Sequence, residues 1–81
     1  MTEAHVKAAV SEVLHRIAPE ADLDQLDAQD DLTRALDIDS FDFLNLLEGI
    51  HAKLGVDVPE ADYGRVRTLS ALVAYLAART R

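Results

Sequence analysis

Ser40 is the residue of this 81-residue chain whose position most suggests chemistry. It follows Asp39 at the start of a segment with helical periodicity. A serine hydroxyl becomes a strong nucleophile when a neighbouring base takes its proton. No histidine lies near Ser40 in the sequence, and the three histidines (His5, His15 and His51) form no recognisable constellation. We therefore expect this chain to contain no catalytic residue, so chemistry at Ser40 would need groups supplied by another protein.

The carboxylates around Ser40 could in principle bind a metal ion. Asp37, Asp39 and Glu48 have the spacing of positions one, three and twelve of a calcium-binding EF-hand loop. Phe41 and Asp42 then occupy the fifth and sixth positions, where that loop needs an oxygen ligand and a glycine. No two histidines are three or four residues apart, which disfavours a helical histidine site. We expect no metal site, and we interpret the aspartates as solvated residues that cap a helix.

Composition excludes several classes of function. The chain has no cysteine, which rules out disulfides, thiolate zinc sites and a cysteine nucleophile. It has no tryptophan and only four aromatic residues, which disfavours a platform for stacking nucleic-acid bases. The net charge is −7, and residues 19–48 hold ten acidic residues against Arg34 alone. Such a surface opposes nucleic acids and anionic lipids, and it favours a basic partner protein.

Length and hydrophobicity predict one folded domain over residues 1–81, since 49% of the residues are hydrophobic. The first residues lack the basic start and apolar stretch of a signal peptide. The longest apolar run, residues 72–78, is too short to cross a bilayer. We therefore expect a cytoplasmic protein that is not inserted in a membrane.

Hydrophobic periodicity and capping residues predict an all-α four-helix bundle with three long helices and one short one. Residues 19–38 have no sustained period, so we expect a long loop between helices 1 and 2, with leucines that attach it to the core. A loop of this length in a small domain usually has a functional reason or hides a short helical turn. The predicted helices are residues 3–18, a second from the Asp39 cap to Gly55, a short third near residues 60–65 and a last one after the Thr68 cap.

The second predicted helix has large apolar residues on two sides. One side, within an arc of about 60° at 100° per residue, is the predicted core face (Phe43, Leu47, Ile50 and Leu54). The opposite side carries Phe41, Leu44, Asn45 and Glu48. Phe41 and Leu44 therefore indicate a docking patch, although isolated apolar residues are also tolerated on surfaces. Gly49 in the middle of the helix either permits a close approach or is incidental.

The order of these features resembles the acyl carrier protein family over nearly the whole chain. The matching features are a first helix, a long loop, a helix that opens with Asp39-Ser40-Phe41, then Val58-Pro59, a short helix and a last helix that opens with Thr68-Leu69. An Asp-Ser pair alone is not specific, but in this order and length it is fairly specific. The resemblance implies that Ser40, preceded by Asp39, receives a covalent 4'-phosphopantetheine arm from coenzyme A.

The resemblance also implies a function and partners. The chain would be a non-catalytic carrier that holds an acyl or aminoacyl group as a thioester on the arm, and a monomer is the expected state of such a shuttle. Its partners would be a phosphopantetheinyl transferase, an acyl- or aminoacyl-loading ligase, and downstream acyl-transfer or condensing enzymes. The docking residues would be Asp37, Phe41, Asp42, Leu44, Asn45 and Glu48.

Three departures from the family pattern suggest a discrete, atypical member. Asp37 stands where a glycine is common, and Phe41 stands where leucine is usual. The later part of the second helix, usually acidic, reads His51-Ala52-Lys53. We therefore expect a role in a specialised biosynthetic pathway instead of housekeeping fatty-acid synthesis. The alternative is an unmodified helical adaptor that docks a basic partner through its acidic, partly apolar second helix.

Overall fold

The computed structural model describes residues 1–80, and their regular structure is helical. Residues 1–80 form four α-helices, α1 (Glu3–Ile17), α2 (Leu32–Ala35), α3 (Ser40–Leu54) and α4 (Leu69–Arg79), and two 3-10 helices, which span Leu23–Gln25 and Glu60–Arg65. The longest helices, α1, α3 and α4, are the three predicted long ones, and α1 packs against both of the others. The all-α class is therefore confirmed.

The connections between the long helices contain short helices. The long connection over residues 19–38 contains α2 and a 3-10 turn, which agrees with the expectation that a loop of this length can hide a short helical turn. The short element at residues 60–65 has the predicted bounds but is a 3-10 helix. α1 ends at Ile17 and not at residue 18, because Ala18 has left the helical region with φ −137°. The cause is Pro19, whose ring disfavours the α conformation in the residue before it.

Side-chain caps begin the long helices at the predicted residues. The Thr2 hydroxyl accepts a hydrogen bond from the backbone N–H of His5 at 3.2 Å. The Thr68 hydroxyl accepts one from the N–H of Ala71 at 3.1 Å. Each bond satisfies an N–H group that has no partner within its helix. Gly55 ends α3 in the left-handed region, with φ 73°, and this conformation favours glycine.

The core contains apolar residues from all the long helices, and no polar or charged residue among residues 1–80 is buried. Ile50 of α3 and Leu72 and Leu76 of α4 have no exposed surface. Phe43 and Leu47 are buried as predicted, whereas Leu54 is only half-buried. Leu46, which lies outside the predicted core face, is 1% exposed. The buried face of α3 is therefore wider than the 60° arc of the prediction.

Gly49 lies where α3 comes close to Val13 of α1. A Cβ atom at this position would fall well inside van der Waals contact with Cγ1 of Val13 in α1. Glu12, next to Val13, forms an ion pair with Lys53 of α3 beside this contact. The sequence left open whether Gly49 permits a close approach or is incidental, and the structure supports the close approach of another helix.

The 3-10 helix at residues 60–65 has no buried residue and is held to α4 by a polar contact. The Tyr75 hydroxyl donates a hydrogen bond to the Asp62 carboxylate at 2.6 Å. The guanidinium carbon of Arg79 lies 3.4 Å from the centre of the Tyr75 ring, on its face. Tyr63 packs against the core from the same 3-10 helix. The Asp62–Tyr75 hydrogen bond is therefore a major constraint on this segment.

We expect Gly49→Ala to lower the free energy of unfolding by about 1–3 kcal/mol, because the new methyl group would overpack the contact with Val13. Valine has one strongly preferred rotamer in a helix, so it cannot easily turn away. Urea unfolding measures the change. The matched control is Gly64→Ala, where a Cβ meets nothing within 4 Å. If the steric reason is right, Gly49→Ala will be less harmful in a Val13→Ala background; additive effects of the two substitutions would contradict it.

Candidate functional site

Ser40 is the first residue of α3 and is exposed to solvent. The preceding residue, Asp39, has an extended backbone, and its carboxylate accepts a hydrogen bond from the N–H of Asp42 at 2.8 Å. This bond caps α3 and fixes where the helix begins. Within residues 1–80, the Ser40 hydroxyl takes part in none of the side-chain hydrogen bonds that hold the loops and caps. Ser40 is thus presented at a helix start with its hydroxyl accessible.

The direction of the chain reverses between α2 and α3 at Asp37. This residue has φ 54°, and it is the one non-glycine residue with positive φ among residues 1–80. The N–H of Ile38 donates to the carbonyl of Thr33 at 3.0 Å, and the N–H of Asp37 donates to that of Arg34 at 3.3 Å. Together these bonds form a Schellman motif, in which the residue after the helix is usually glycine. The motif ends α2, and α3 begins at Ser40, three residues after Asp37.

Backbone and side-chain contacts fix α2 to the start of α4. The N–H of Leu32 donates to the carbonyl of Arg67 at 2.7 Å. The Arg67 guanidinium lies 3.0 Å from the Asp31 carboxylate and 5.8 Å from the ring centre of Phe43 in α3. Hydrogen bonds from Thr33, above all from its hydroxyl, lower the pKa of Asp31, and Arg67 lowers it further while burial opposes them. α2, α3 and α4 are therefore joined beside the Ser40 end of α3.

Most of the predicted docking residues share one exposed surface on α3. Phe41 is 69% exposed and Leu44 is 38% exposed, and with Met1 they are the exposed large hydrophobic side chains among residues 1–80. Asn45 and Glu48 are exposed on the same side, as the helical wheel predicts. We call these four residues the α3 patch. Asp42 is half-buried next to the cap, and Asp37 is exposed in the turn before α3, so the two aspartates flank the patch without belonging to it.

Two grooves follow different sides of α3. The smaller, of ≈ 160 Å³, lies between α3 and the 3-10 helix at residues 60–65. Leu44, Leu47 and His51 of α3 line it, and these residues continue the i, i+4, i+7, i+11 stripe that starts at Ser40. We call it the Ser40-side groove. The larger, of ≈ 360 Å³, lies between α1 and α3 on the other side of the helix, where Gly49 lies in its floor.

The three histidines lie in α1 and α3. His5 contacts the Thr2 hydroxyl at 3.1 Å, His15 lies in the last turn of α1, and His51 is exposed in the last turn of α3. Among residues 1–80, no three histidine, aspartate or glutamate side chains are placed to share a metal ion. In the same part of the chain, no helix is long and apolar enough to cross a bilayer.

The sequence did not reveal the contacts that hold the site in place. Asp31 and Arg67 are 36 positions apart, and Asp62 and Tyr75 are 13 apart. Neither spacing is a helical repeat within one element, so only the packed fold brings each pair together. The sequence contains one signal related to these contacts: the Thr68 cap, which places Arg67 just before α4.

Comparison with known families yields a match over most of the chain. A family model described as phosphopantetheine attachment site matches residues 4–76, from the first turn of α1 into the last turns of α4. Both Asp39 and Ser40 lie inside the matched range. No curated protein matches the chain.

The left-handed conformation of Asp37 leads to a stability prediction. A residue with a Cβ pays about 1–2 kcal/mol in this conformation, and glycine does not. We therefore expect Asp37→Gly to be about 1 kcal/mol more stable than Asp37→Ala, measured by thermal and urea unfolding. The control is Ala74, exposed in the middle of α4, where Ala74→Gly should instead destabilise by about 1 kcal/mol. Equal stability of the two Asp37 variants would contradict the assigned backbone conformation.

Proposed function

The chain belongs to the phosphopantetheine attachment site family, and from this premise we propose that it is a carrier protein whose arm is attached to Ser40. Its cofactor is covalent 4'-phosphopantetheine. The observation that carries the assignment to Ser40 is its position: an exposed hydroxyl at the first residue of α3, directly after the Asp39 cap. When attached, the arm supplies a terminal thiol that can hold an acyl or aminoacyl group as a thioester.

The residues around Ser40 fit a tethered group. The chain has no cysteine, so a thiol must come from a cofactor. An arm attached at an exposed helix start needs no internal cavity, which agrees with a core of apolar residues only. The other two serines also lie in helices and are exposed, but Ser11 is in the middle of α1 and Ser70 follows the buried Leu69. Ser40 alone of the three lies beside the α3 patch.

We assign the attachment chemistry to a phosphopantetheinyl transferase. The Ser40 oxygen forms a bond to the phosphorus next to the pantetheine half of coenzyme A, and the pyrophosphate bond to the nucleotide half breaks. The nucleotide leaves with its phosphate, and the hydroxyl proton passes to a base of the transferase. This chain contributes the accessible hydroxyl and the docking surface, and it has no catalytic role.

The α3 patch is the proposed docking surface for the transferase, the loading ligase and the downstream acyl-transfer or condensing enzymes. Phe41 offers a large apolar contact at the helix start, and Glu48 offers a negative charge on the same side. Apolar anchors surrounded by polar groups are typical of protein–protein contacts. After Glu48, α3 has no further acidic side chain, and its Lys53 is paired with Glu12 of α1. This short acidic surface supports a specialised pathway with its own partner enzymes.

Mass spectrometry of the intact protein tests the attachment site. After incubation with coenzyme A and a transferase of broad specificity, we expect the wild type to gain the mass of one phosphopantetheine. Ser40→Ala should gain nothing, whereas the matched controls Ser11→Ala and Ser70→Ala should gain it in full. Modification of Ser40→Ala would place the arm elsewhere. No gain by the wild type, with a transferase shown to modify another carrier, would favour the unmodified adaptor.

The docking surface is tested by comparing stability with loading. Phe41→Ala and Leu44→Asp should leave the unfolding temperature nearly unchanged, because both side chains are exposed, and should slow arm attachment or acyl loading. Leu47→Ala, in the core, should cost about 2–5 kcal/mol. Ala74→Asp, exposed on α4, is the matched surface control and should load normally. Unfolding of the domain by Phe41→Ala, or normal loading of both patch variants, would contradict this docking surface.

A further inference from the structure

Arg67 places a cation beside the turn of α3 that begins with Ser40. Its guanidinium carbon lies 5.8 Å from the ring centre of Phe43, within the range of a cation–π contact. Phe43 is three residues after Ser40, so their Cβ atoms are neighbours on the helix, about 5–6 Å apart. A helical side chain leans toward the N-terminus and covers the preceding turn. The Phe43 ring therefore lies toward Ser40, and the guanidinium on this ring lies beside the same turn.

We propose that the Arg67 guanidinium binds the phosphate of the arm attached to Ser40 and is thereby a positioning residue that sets the direction in which the arm leaves α3. This inference rests on the carrier role proposed above. It adds a contact between this chain and its cofactor that is separate from the covalent bond at Ser40.

The hydrogen-bonding groups of Arg67 are only partly used within residues 1–80. Its Nη2 donates to the Asp31 carboxylate at 3.0 Å. A guanidinium has five N–H donors in a planar fork, and this fork matches two oxygens of one phosphate. The Arg67 side chain is 48% exposed, so donors on Nε and Nη1 are accessible to a group outside the packed domain. Arg67 can therefore hold Asp31 and a phosphate at the same time.

The backbone of Arg67 is fixed on both sides. Its carbonyl accepts a hydrogen bond from the N–H of Leu32 at 2.7 Å, and the next residue, Thr68, caps α4. The contact with Phe43 restricts the side chain as well. A restrained group loses less conformational entropy on binding than a mobile one. Arg67 is therefore partly ordered before the arm is attached, and the backbone bond to Leu32 keeps α2 in place when the guanidinium shifts.

Negative charge around Ser40 gives this cation a specific role. Three carboxylates that repel a phosphate lie within three residues of Ser40: Asp37, Asp39 and Asp42. Arg34, in α2, already donates to Asp30 through both Nε and Nη2. Its side chain is 77% exposed, whereas that of Arg67 is packed on a residue of α3. Of these two arginines, Arg67 is the one placed to offset the repulsion.

Arg67 and the exposed Phe41 of the α3 patch lie on different sides of α3. At 100° per residue, Phe43 is about 160° from Phe41 around the helix and about 60° from Ser40. A phosphate drawn to Arg67 therefore leaves Ser40 on the side away from Phe41. The large apolar side chain of the patch then stays accessible to partner enzymes while the arm is attached.

A contact of modest strength is sufficient for a tethered phosphate. One pair of opposite charges 4 Å apart in water changes an equilibrium by about fivefold. Covalent attachment keeps the phosphate next to the guanidinium, so the contact does not include the cost of bringing two molecules together. The phosphate is therefore held for most of the time.

Nuclear magnetic resonance of the full chain, before and after arm attachment, tests this contact. Mass spectrometry first verifies that Ser40 carries the arm. The Nε–Hε signal of Arg67 should then move, while those of Arg34 and Arg65 stay in place, because each is paired with another carboxylate. The phosphorus shift should change in Arg67→Gln and stay as in the wild type in Arg34→Gln, the matched control that also loses a positive charge and an ion pair.

Unfolding measurements give the strength of the contact. Arg67→Gln removes the ion pair with Asp31 whether or not the arm is present, so the informative quantity is the change caused by attachment. We expect attachment to change the folding equilibrium constant about fivefold more favourably in the wild type than in Arg67→Gln. Arg34→Gln should respond to attachment as the wild type does. Arg67→Lys, which keeps the charge and loses the planar fork, should recover part of the difference.

The outcomes separate this inference from the proposed function. An unmoved Arg67 signal, or an equal effect of attachment on the wild type and on Arg67→Gln, would overturn the phosphate contact while the arm remains on Ser40. Should Arg67→Gln not fold, the Arg67 signal of the wild type and the comparison with Arg67→Lys provide the test. No attachment at Ser40 would overturn the carrier role and this inference with it.

Discussion

The close contact between Gly49 of α3 and Val13 of α1 fixes the rotation of α3 about its own axis. A helix with apolar residues on most of its circumference could bury more than one face, and only one rotation allows this contact. In that rotation Phe43, Leu46, Leu47 and Ile50 enter the core. Phe41 and Leu44 must then face solvent, although each would gain free energy by burial. The α3 patch is thus a consequence of how α1 and α3 pack.

The position of Ser40 depends on a second set of contacts, which are polar and local. The Schellman motif at Asp37 reverses the chain after α2, and the Asp39 cap starts α3 two residues later. The contact of Asp31 with Arg67 then holds α2 against α4. Helix termini leave backbone groups without hydrogen-bond partners. The caps supply these partners, and they therefore stabilise the turn that carries the exposed Ser40. A small domain can in this way present a fixed hydroxyl without burying it.

The sequence predicts the parts of this structure that depend on neighbours along the chain. Asp39, Thr68 and Gly55 have local effects on the backbone, and they mark the helix bounds correctly. The sequence allows for a short helical turn between the first two long helices but does not locate α2, because four residues are too few to show a period. Leu46 was missed because a helix packed between neighbours buries a wider face than a narrow arc suggests. The prediction of Ser40 came from its local context and from family resemblance, and no spacing rule would have indicated the groove beside it.

The two polar contacts that hold the short elements respond to opposite changes of pH. Asp31 must be ionised to hold α2, and its lowered pKa means that this stabilisation is present above its ordinary value of 3.8 and is lost as pH falls through the lowered value. Tyr75 must keep its proton to donate to Asp62. That hydrogen bond, and burial after it, raise the pKa of Tyr75, so its stabilisation is present below the ordinary value of 10.0 and is lost as pH rises through the raised value. Acid therefore weakens the attachment of α2 beside Ser40, whereas alkali weakens that of the 3-10 helix at residues 60–65, which forms the outer wall of the Ser40-side groove.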